Sequence, residues 1–149
     1  MERTGQAMLV LVDTGVNEIE AMYIKYRLEE AGYRVFVAGP KMGEKCVGRY
    51  GYPCPTEATY HDVQARHFAG VICPGGWAPA RLRTEGKVTM VVNDFFQSGK
   101  LVAAICHGGS VLISAGICNG LKMTGSPAIL DDLRNAGAEL MEGPVVIDG

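Results

Sequence analysis

The sequence lacks an excess of positive charge, a long apolar run and closely spaced cysteines. Its 149 residues carry 14 Lys and Arg against 16 Asp and Glu, so the charge gives no indication of nucleic-acid binding. Every apolar stretch is shorter than the roughly 18 residues that a membrane-spanning helix needs. The N-terminus also lacks the long apolar region and cleavage site of a signal peptide. The composition therefore predicts one globular domain over residues 1–149, with neither a membrane nor nucleic acid as partner.

The five cysteines are scattered, and none belongs to a C-x-x-C motif. This spacing argues against a zinc ribbon and against a thioredoxin-type redox motif, so we expect no metal and no other cofactor. Unpaired cysteines are typical of a reduced protein, since disulfides are uncommon in the cytosol, and we predict a cytoplasmic location. Cys46 and Cys54, in the stretch CVGRYGYPC, could instead face each other across a small hairpin.

Short apolar runs alternate with helical patterns along the chain, and the irregular stretch 41–69 suggests a hairpin or excursion. This alternation predicts an α/β fold with a doubly wound, mostly parallel sheet and helices on both faces. Glycines end three of the predicted helices, and Ser126 and Pro127 favour the start of the last one. We predict strands at 8–12, 35–38, 71–73, 101–105 and 145–147, and helices at 18–31, 88–96, 110–115 and 126–136.

The first predicted helix has apolar residues around much of its circumference. A helix of this kind contacts more than one surface, so we expect it to take part in a subunit contact of a homo-oligomer. The two apolar stripes comprise Ile19, Met22, Tyr23 and Tyr26, and Ala21, Ile24, Leu28 and Ala31.

Three short stretches directly follow predicted strands, at 13–18, 74–77 and 106–107. In open parallel sheets the ligand site lies beyond the carboxyl ends of the strands. We therefore expect these three stretches to converge at one edge of the sheet.

Cys106 lies between an apolar strand and a pair of glycines, in the stretch AICHGG. A strand that runs through C-x-G into a helix is typical of a nucleophile elbow, which exposes the side chain above the sheet. The helix N-terminus behind it favours a thiolate. A buried core cysteine remains the alternative, because cysteine packs like a small apolar residue.

Several residues near Cys106 could assist it chemically. The glycines Gly75 and Gly76, with Trp77 after them, could place backbone N–H groups around a substrate oxygen. Glu18 starts the first helix and could move a proton, although an acidic first turn is common on solvated helices. His107 could act as a base if its ring turns back and a carboxylate orients it.

Four stretches together resemble the ThiJ/PfpI family, closest to its branch of PfpI intracellular cysteine proteases: NEIEAMYIKYRLEEAGYRVFVAGP, GVICPGGWAPARLR, GKLVAAICHGGSVLISAG and DDLRNAGAE. The resemblance implies the flavodoxin-like sheet of class I glutamine amidotransferases. It implies Cys106 as nucleophile, Glu18 as the acid beside its sulfur and His107 as the neighbouring histidine. It also implies an anion-binding corner formed by the backbone of Gly75, Gly76 and His107.

The chain departs from the PfpI pattern at three places. Gly109 follows Gly108 where those peptidases have ICHGP, and Ala80 stands where they carry a glutamate that orients the histidine across a subunit interface. Glu85 is the nearby acid that could substitute for it. The chain stops at VVIDG, where the family continues into a strand and a closing helix, so we expect exposed apolar sheet surface unless an oligomer covers it.

These features predict a cysteine enzyme that acts on a carbonyl substrate, either a small carbonyl compound or a peptide. Without the interface glutamate, glyoxalase or deglycase chemistry is favoured over peptide hydrolysis, which needs a competent donor for the amine leaving group. The alternative is a non-catalytic, redox-sensing or chaperone-like stress protein in which Cys106 is oxidised.

Overall fold

A five-stranded parallel sheet forms the centre of the computed structural model, which describes residues 6–149. The strand order is β5-β2-β1-β6-β7, and neighbouring strands run parallel throughout. The three inner strands are apolar and largely buried, as expected for strands covered by helices, whereas the two edge strands are more exposed. The five strands span Ala7–Leu11 (β1), Arg34–Gly39 (β2), Ala58–Thr59 (β5), Gly70–Cys73 (β6) and Leu101–Ala104 (β7).

Five α-helices accompany this sheet within residues 6–149. The connection from β1 to β2 and that from β6 to β7 step in opposite directions across it. Because such crossovers are right-handed, α1 and α3 lie on opposite faces, and the direction of winding reverses between β1 and β6. The helices are Glu18–Glu30 (α1), Ala78–Leu82 (α2), Gly86–Gln97 (α3), Gly109–Ser114 (α4) and Leu130–Asn135 (α5).

The irregular stretch after β2 contains the predicted hairpin. Strands Lys45–Val47 (β3) and Pro53–Pro55 (β4) pair in antiparallel fashion. The two prolines of β4 oppose Lys45 and Val47, positions at which the ladder needs no N–H from β4. This hairpin extends over the start of α1 and is important for the site described below.

The structure corrects the prediction of a strand at 145–147. Val145 and Ile147 are 74% and 83% exposed and belong to no strand. The last strands are instead Lys122–Met123 (β8) and Glu139–Leu140 (β9), which pair with each other. An apolar run forms a strand only if a partner is available, and here Asp148 ties the terminal segment to the backbone N–H of Lys122 at 2.8 Å.

The helix predicted at 126–136 begins differently from its sequence pattern. A 3₁₀ turn, Pro127–Ile129, precedes α5, and the Ser126 side chain makes no capping hydrogen bond.

β7 forms an edge of the main sheet, and Leu101 and Ile105 are 55% and 41% exposed there. No helix within residues 6–149 is long and apolar enough to cross a membrane.

Candidate active site

The loops after β1 and β6 join at the point where the sheet reverses its direction of winding. The N–H of Asn17 donates to the Gly75 oxygen at 3.0 Å, and the N–H of Trp77 donates to the Gly15 oxygen at 2.8 Å. A Cβ built on Gly75 would lie 2.7 Å from Cys106 Cβ, so the loop after β7 meets the other two there. The three stretches that follow strands thus converge as the sequence predicts.

Cys106 sits on a strained turn at the end of β7. Its φ of 56° makes it the one non-glycine residue with positive φ in the described part of the chain. Such a conformation costs roughly 1–3 kcal/mol and persists where the surroundings enforce it. Gly108 supplies part of that enforcement, because a Cβ there would lie 1.9 Å from the Cys73 oxygen. The Cys106 side chain is half-buried, which fits an elbow rather than a core thiol.

His107 turns back toward the sulfur of its neighbour. Its Nδ1 lies 3.2 Å from Cys106 Sγ, within hydrogen-bonding distance for sulfur. The ring therefore adopts the rotamer that a proton exchange with the thiol requires. Ala80, at the position where the PfpI peptidases carry their interface glutamate, lies exposed on α2.

Glu18 does not occupy the position beside the sulfur that the sequence interpretation gave it. Its Oε1 accepts hydrogen bonds from the N–H groups of Tyr50 and Tyr52 at 2.8 and 3.0 Å, in the turn of the β3–β4 hairpin. The side chain is 5% exposed, and its Oε2 has no hydrogen-bond partner. Burial acts to raise the pKa of Glu18, but the backbone N–H donors outweigh it and lower that pKa. Glu18 therefore fastens the hairpin to α1.

Glu20 is the carboxylate that borders Cys106. The N–H of Gly75 donates to Glu20 Oε2 at 2.7 Å. A Cβ on Gly75 would lie 2.8 Å from that oxygen as well as 2.7 Å from Cys106 Cβ, so both side chains flank one point. Burial raises the pKa of Glu20, although the Gly75 hydrogen bond and the charges of His107 and Arg49 act against the rise. A raised pKa means that this carboxyl keeps its proton, and can donate it, up to a higher pH than an ordinary glutamate.

A helix-capping pattern positions Glu20. Asn17 is the N-cap of α1, and its Oδ1 accepts from the N–H groups of Ile19 and Glu20. The Asn17 Nδ2 in turn donates to Glu20 Oε1 at 2.9 Å. Asn-x-x-Glu is a readable start signal for a helix. It is the sequence signal by which Glu20 could have been singled out.

The glycine turn after β6 binds a carboxylate and packs against the loop after β1. The Gly75 N–H is occupied by Glu20 and that of Trp77 by Gly15, so neither is free for a substrate oxygen in this structure. Gly76 has φ +81°, and a Cβ there would lie 2.4 Å from Asn17 N. Its missing side chain lets the β6 loop pack against the β1 loop. The Gly75 N–H of the predicted corner therefore binds the Glu20 carboxylate, and an anion-binding role for the backbone of Gly76 and His107 stays a prediction.

Arg49 brings a positive charge to the rim of the site. Its guanidinium lies 5.4 Å from the ring centre of Trp77 and 5.5 Å from that of Tyr50. Both rings are largely exposed, and the cation–π contacts orient the Arg49 side chain between them. The positive charge of Arg49 acts to lower the pKa of Glu20. Arg49 is therefore close enough to influence a group bound at Cys106.

No cluster of three or more His, Cys, Asp or Glu side chains within residues 6–149 has the arrangement of a metal site. Cys73 pairs with Ala104 in the ladder between β6 and β7. Burial raises the pKa of Cys73 to about 12. Together, Cys106, Glu20 and His107 can support addition of a thiol to a carbonyl, with proton transfer by the carboxyl of Glu20 and the imidazole of His107.

Comparisons with known proteins agree with the observed fold. The family model described as the DJ-1/PfpI family matches residues 6–149. Deglycase TK1284 from Thermococcus kodakarensis is 38% identical over 142 residues, which is 95% of this chain and 85% of the relative. Deglycase PfpI from Pyrococcus furiosus is 37% identical over 142 residues, with the same coverage.

Solved structures show the same fold. A two-domain protein from Anabaena variabilis, with DJ-1/ThiJ/PfpI-like and ferritin-like domains, has a TM-score of 0.93 and 34% identity. The match covers 97% of this chain and 42% of that longer one. Drosophila melanogaster DJ-1beta has a TM-score of 0.89 and 25% identity, over 97% of this chain and 77% of its own. This chain belongs to the DJ-1/PfpI family.

Proposed function

We propose that this chain is a cysteine-dependent enzyme that acts on small carbonyl compounds, with chemistry of the glyoxalase or deglycase type. The observation that carries the proposal is the strained elbow at Cys106. The Cys106 sulfur lies 3.2 Å from His107 Nδ1. Cys106 Cβ and the Glu20 carboxylate both lie next to Gly75. The names of the relatives from Thermococcus kodakarensis and Pyrococcus furiosus, both called deglycases, support this reaction class.

The chemistry follows from the three side chains. For a 2-oxoaldehyde, Cys106 Sγ adds to the aldehyde carbon, and the thiol proton passes to His107. The carbonyl oxygen gains the electron pair and then a proton, which a protonated Glu20 can donate. Proton transfer between the two adjacent carbons gives a thioester of a 2-hydroxy acid. Attack by water then releases the acid and restores the thiol.

Peptide hydrolysis makes a further demand that these residues meet less well. An amine leaving group must be protonated as it departs, by a base that first took a proton and is held in position. The residue at the position of the peptidase glutamate, Ala80, has no group that can hold His107. Small-carbonyl chemistry needs only the thiol, the acid and the imidazole already in place.

The test compares two substrates on wild-type protein and on Cys106→Ala. We expect methylglyoxal to be converted to lactate by wild type, with complete loss of turnover in Cys106→Ala, and little cleavage of a fluorogenic peptide. Cys106-dependent cleavage of the peptide without methylglyoxal turnover would contradict the proposal and indicate a peptidase. If neither substrate is turned over while peroxide oxidises Cys106, the redox-sensor alternative is supported instead.

A further inference from the structure

Two buried cysteines away from the candidate active site face each other across the β3–β4 hairpin. Cys46 and Cys54 are directly opposite in the antiparallel register. On either side of them, the Gly48 N–H donates to the Tyr52 oxygen at 2.7 Å and the Thr56 N–H to the Glu44 oxygen at 2.9 Å. Because hydrogen-bonded pairs alternate along such a ladder, Cys46 and Cys54 form one of them.

This register gives the pair the spacing of a disulfide. The Cα atoms of a hydrogen-bonded antiparallel pair are about 5.5 Å apart, which lies inside the range of about 4.4–6.8 Å found in disulfides. Opposite residues of antiparallel strands also project from the same face of the ladder. The two side chains can therefore be joined without moving one strand past the other.

Both thiols are shielded while the hairpin is closed. Cys46 is 4% exposed and Cys54 is fully buried, and both are free thiols in this structure. Burial raises the pKa of Cys46 and of Cys54 to about 11 each. Since the thiolate is the reactive form, exchange with an oxidant requires the hairpin to open. The Glu18 carboxylate restrains that opening through its two bonds to the turn.

We propose that Cys46 and Cys54 are a second redox site, a dithiol that a small-molecule disulfide such as oxidised glutathione converts to a cross-strand disulfide. One cysteine, as thiolate, attacks a sulfur of oxidised glutathione and releases one glutathione thiolate. The second cysteine attacks the mixed disulfide, forms the Cys46–Cys54 bond and releases the other glutathione. Both cysteines are oxidised and oxidised glutathione is reduced to two thiols, which take up the two protons that the cysteines lose.

The disulfide would fix the part of the hairpin that reaches the candidate active site. The turn between the two cysteines carries Arg49 and Tyr50, and Arg49 stacks on Trp77 at the rim of that site. Closing the base of the turn restricts the excursions of Arg49 but adds nothing to the chemistry of Cys106. The proposal is therefore independent of the function assigned to Cys106.

Trypsin provides a direct readout, because it cleaves after Lys45, just before Cys46, and after Arg49, which lies between the two cysteines. The full chain with Cys106→Ala is brought to equilibrium in glutathione buffers of rising oxidation, quenched in acid, alkylated under denaturing conditions and digested without reductant. We expect peptides 46–49 and 50–66 to appear linked by a disulfide, and reductant to separate them. Cys73 and Cys118 are also buried but remain alkylated, since neither has a cysteine opposite.

Two variants make the outcome decisive. Cys54→Ser must abolish the linked peptides, whereas Cys118→Ser, a matched loss of another buried thiol, must leave them unchanged. Glu18→Gln weakens the attachment of the turn, so we expect linkage to form several-fold faster than in the Cys106→Ala parent. The proposal is overturned if both cysteines stay alkylated at the most oxidising buffer even with Glu18→Gln. Accumulation of glutathionylated Cys46 or Cys54 without linkage also overturns it.

Discussion

Glu18 and Glu20 lie two residues apart at the start of α1, yet their carboxylates contact different parts of the molecule. Glu18 binds the hairpin turn through the N–H groups of Tyr50 and Tyr52, and Glu20 accepts the N–H of Gly75 beside Cys106. Their pKa values shift in opposite directions because one carboxylate receives several N–H donors and the other is dominated by burial. Glu18 stabilises the β3–β4 hairpin, and Glu20 is available for proton transfer.

The two glutamates therefore respond differently to the same substitution. For Glu20→Gln we expect a loss in kcat/KM for methylglyoxal of about 10²- to 10⁴-fold, the usual contribution of a positioned acid or base. Thermal stability should fall modestly, because the oxygen of the introduced amide can still accept the Gly75 N–H while its NH2 group faces the Asn17 Nδ2 donor. Glu18→Gln is the matched control, and its main effect should be a lower Tm. Equal losses of activity in both variants would contradict the assignment of the acid to Glu20.

The raised pKa of Glu20 gives this assignment a pH signature. A group with a raised pKa stays protonated to a higher pH than an ordinary glutamate, so a step that uses its proton slows as pH rises through that pKa. We expect kcat against pH to show this decline in wild type, on a limb displaced to higher pH than that of an ordinary glutamate. In Glu20→Gln the limb should be absent, and its persistence would assign the titration to another group.

The sequence pattern identifies Cys106 and His107 correctly as neighbours on an elbow, because the strand, the small residues and the helix all lie in one short stretch. It cannot by itself distinguish Glu18 from Glu20. Residues two apart on a helix point about 200° away from each other, so the helix start alone does not show which one faces the sulfur. That choice depends on the rotation of α1 about its axis, which the capping contacts of Asn17 and the packing of Gly75 determine.

At the scale of elements, periodicity and glycine positions predict the central strands and the long helices, since each is stabilised mainly by its own apolar pattern. The strand predicted at 145–147 fails because pairing depends on a partner that the pattern does not contain. The β8–β9 pair is missed for the same reason, as each strand has only two residues. The hairpin is recognised as an excursion, but its attachment to Glu18 is a long-range contact.

That attachment predicts how the hairpin contributes to stability. Glu18→Ala removes the acceptor of two N–H groups, which we expect to cost about 1–3 kcal/mol in the free energy of unfolding. Since the pKa of Glu18 is lowered in the folded state, its contribution is fully present above the unfolded-state pKa and is lost as pH falls through the folded one. Urea unfolding of wild type and variant between neutral and acid pH measures both effects. If the free energies of unfolding of wild type and variant differ by the same amount at every pH, the pH dependence is contradicted; if they are equal, both effects are contradicted.

The packing of the elbow against β6 makes a sharper prediction about neighbouring glycines. A Cβ on Gly108 would lie 1.9 Å from the Cys73 oxygen, so Gly108→Ala forces backbone to move and should destabilise by about 3 kcal/mol. A Cβ on Gly109 would meet only the ends of two side chains, Ile129 at 3.0 Å and Leu133 at 3.6 Å. Gly109→Ala is the matched control, with an expected change below about 1 kcal/mol. Similar Tm values for the two variants would show that the elbow tolerates displacement.

At the scale of the whole molecule, an apolar face remains uncovered on α1. Ile19, Tyr23 and Tyr26 are 66%, 66% and 55% exposed, and their spacing of four and three residues places them on one side of the helix. The other apolar stripe of α1 packs inward, where Ala21 is buried. Tyr50 and Tyr52 of the hairpin turn are exposed as well. Contiguous apolar surface of this kind is typical of an interaction site.

We propose that a second copy of this chain covers the α1 face, as its amphipathic pattern predicts. A specific interface buries roughly 1,000 Å² or more in total, so one charge placed at the centre of the face should disrupt it. We expect wild type to sediment as a dimer or larger assembly and Tyr23→Lys to sediment as a monomer at micromolar concentration. Met90→Lys is the matched control, because Met90 is 59% exposed on α3 and should leave the assembly intact. A monomeric wild type, or dissociation by both variants alike, would exclude this face as the interface.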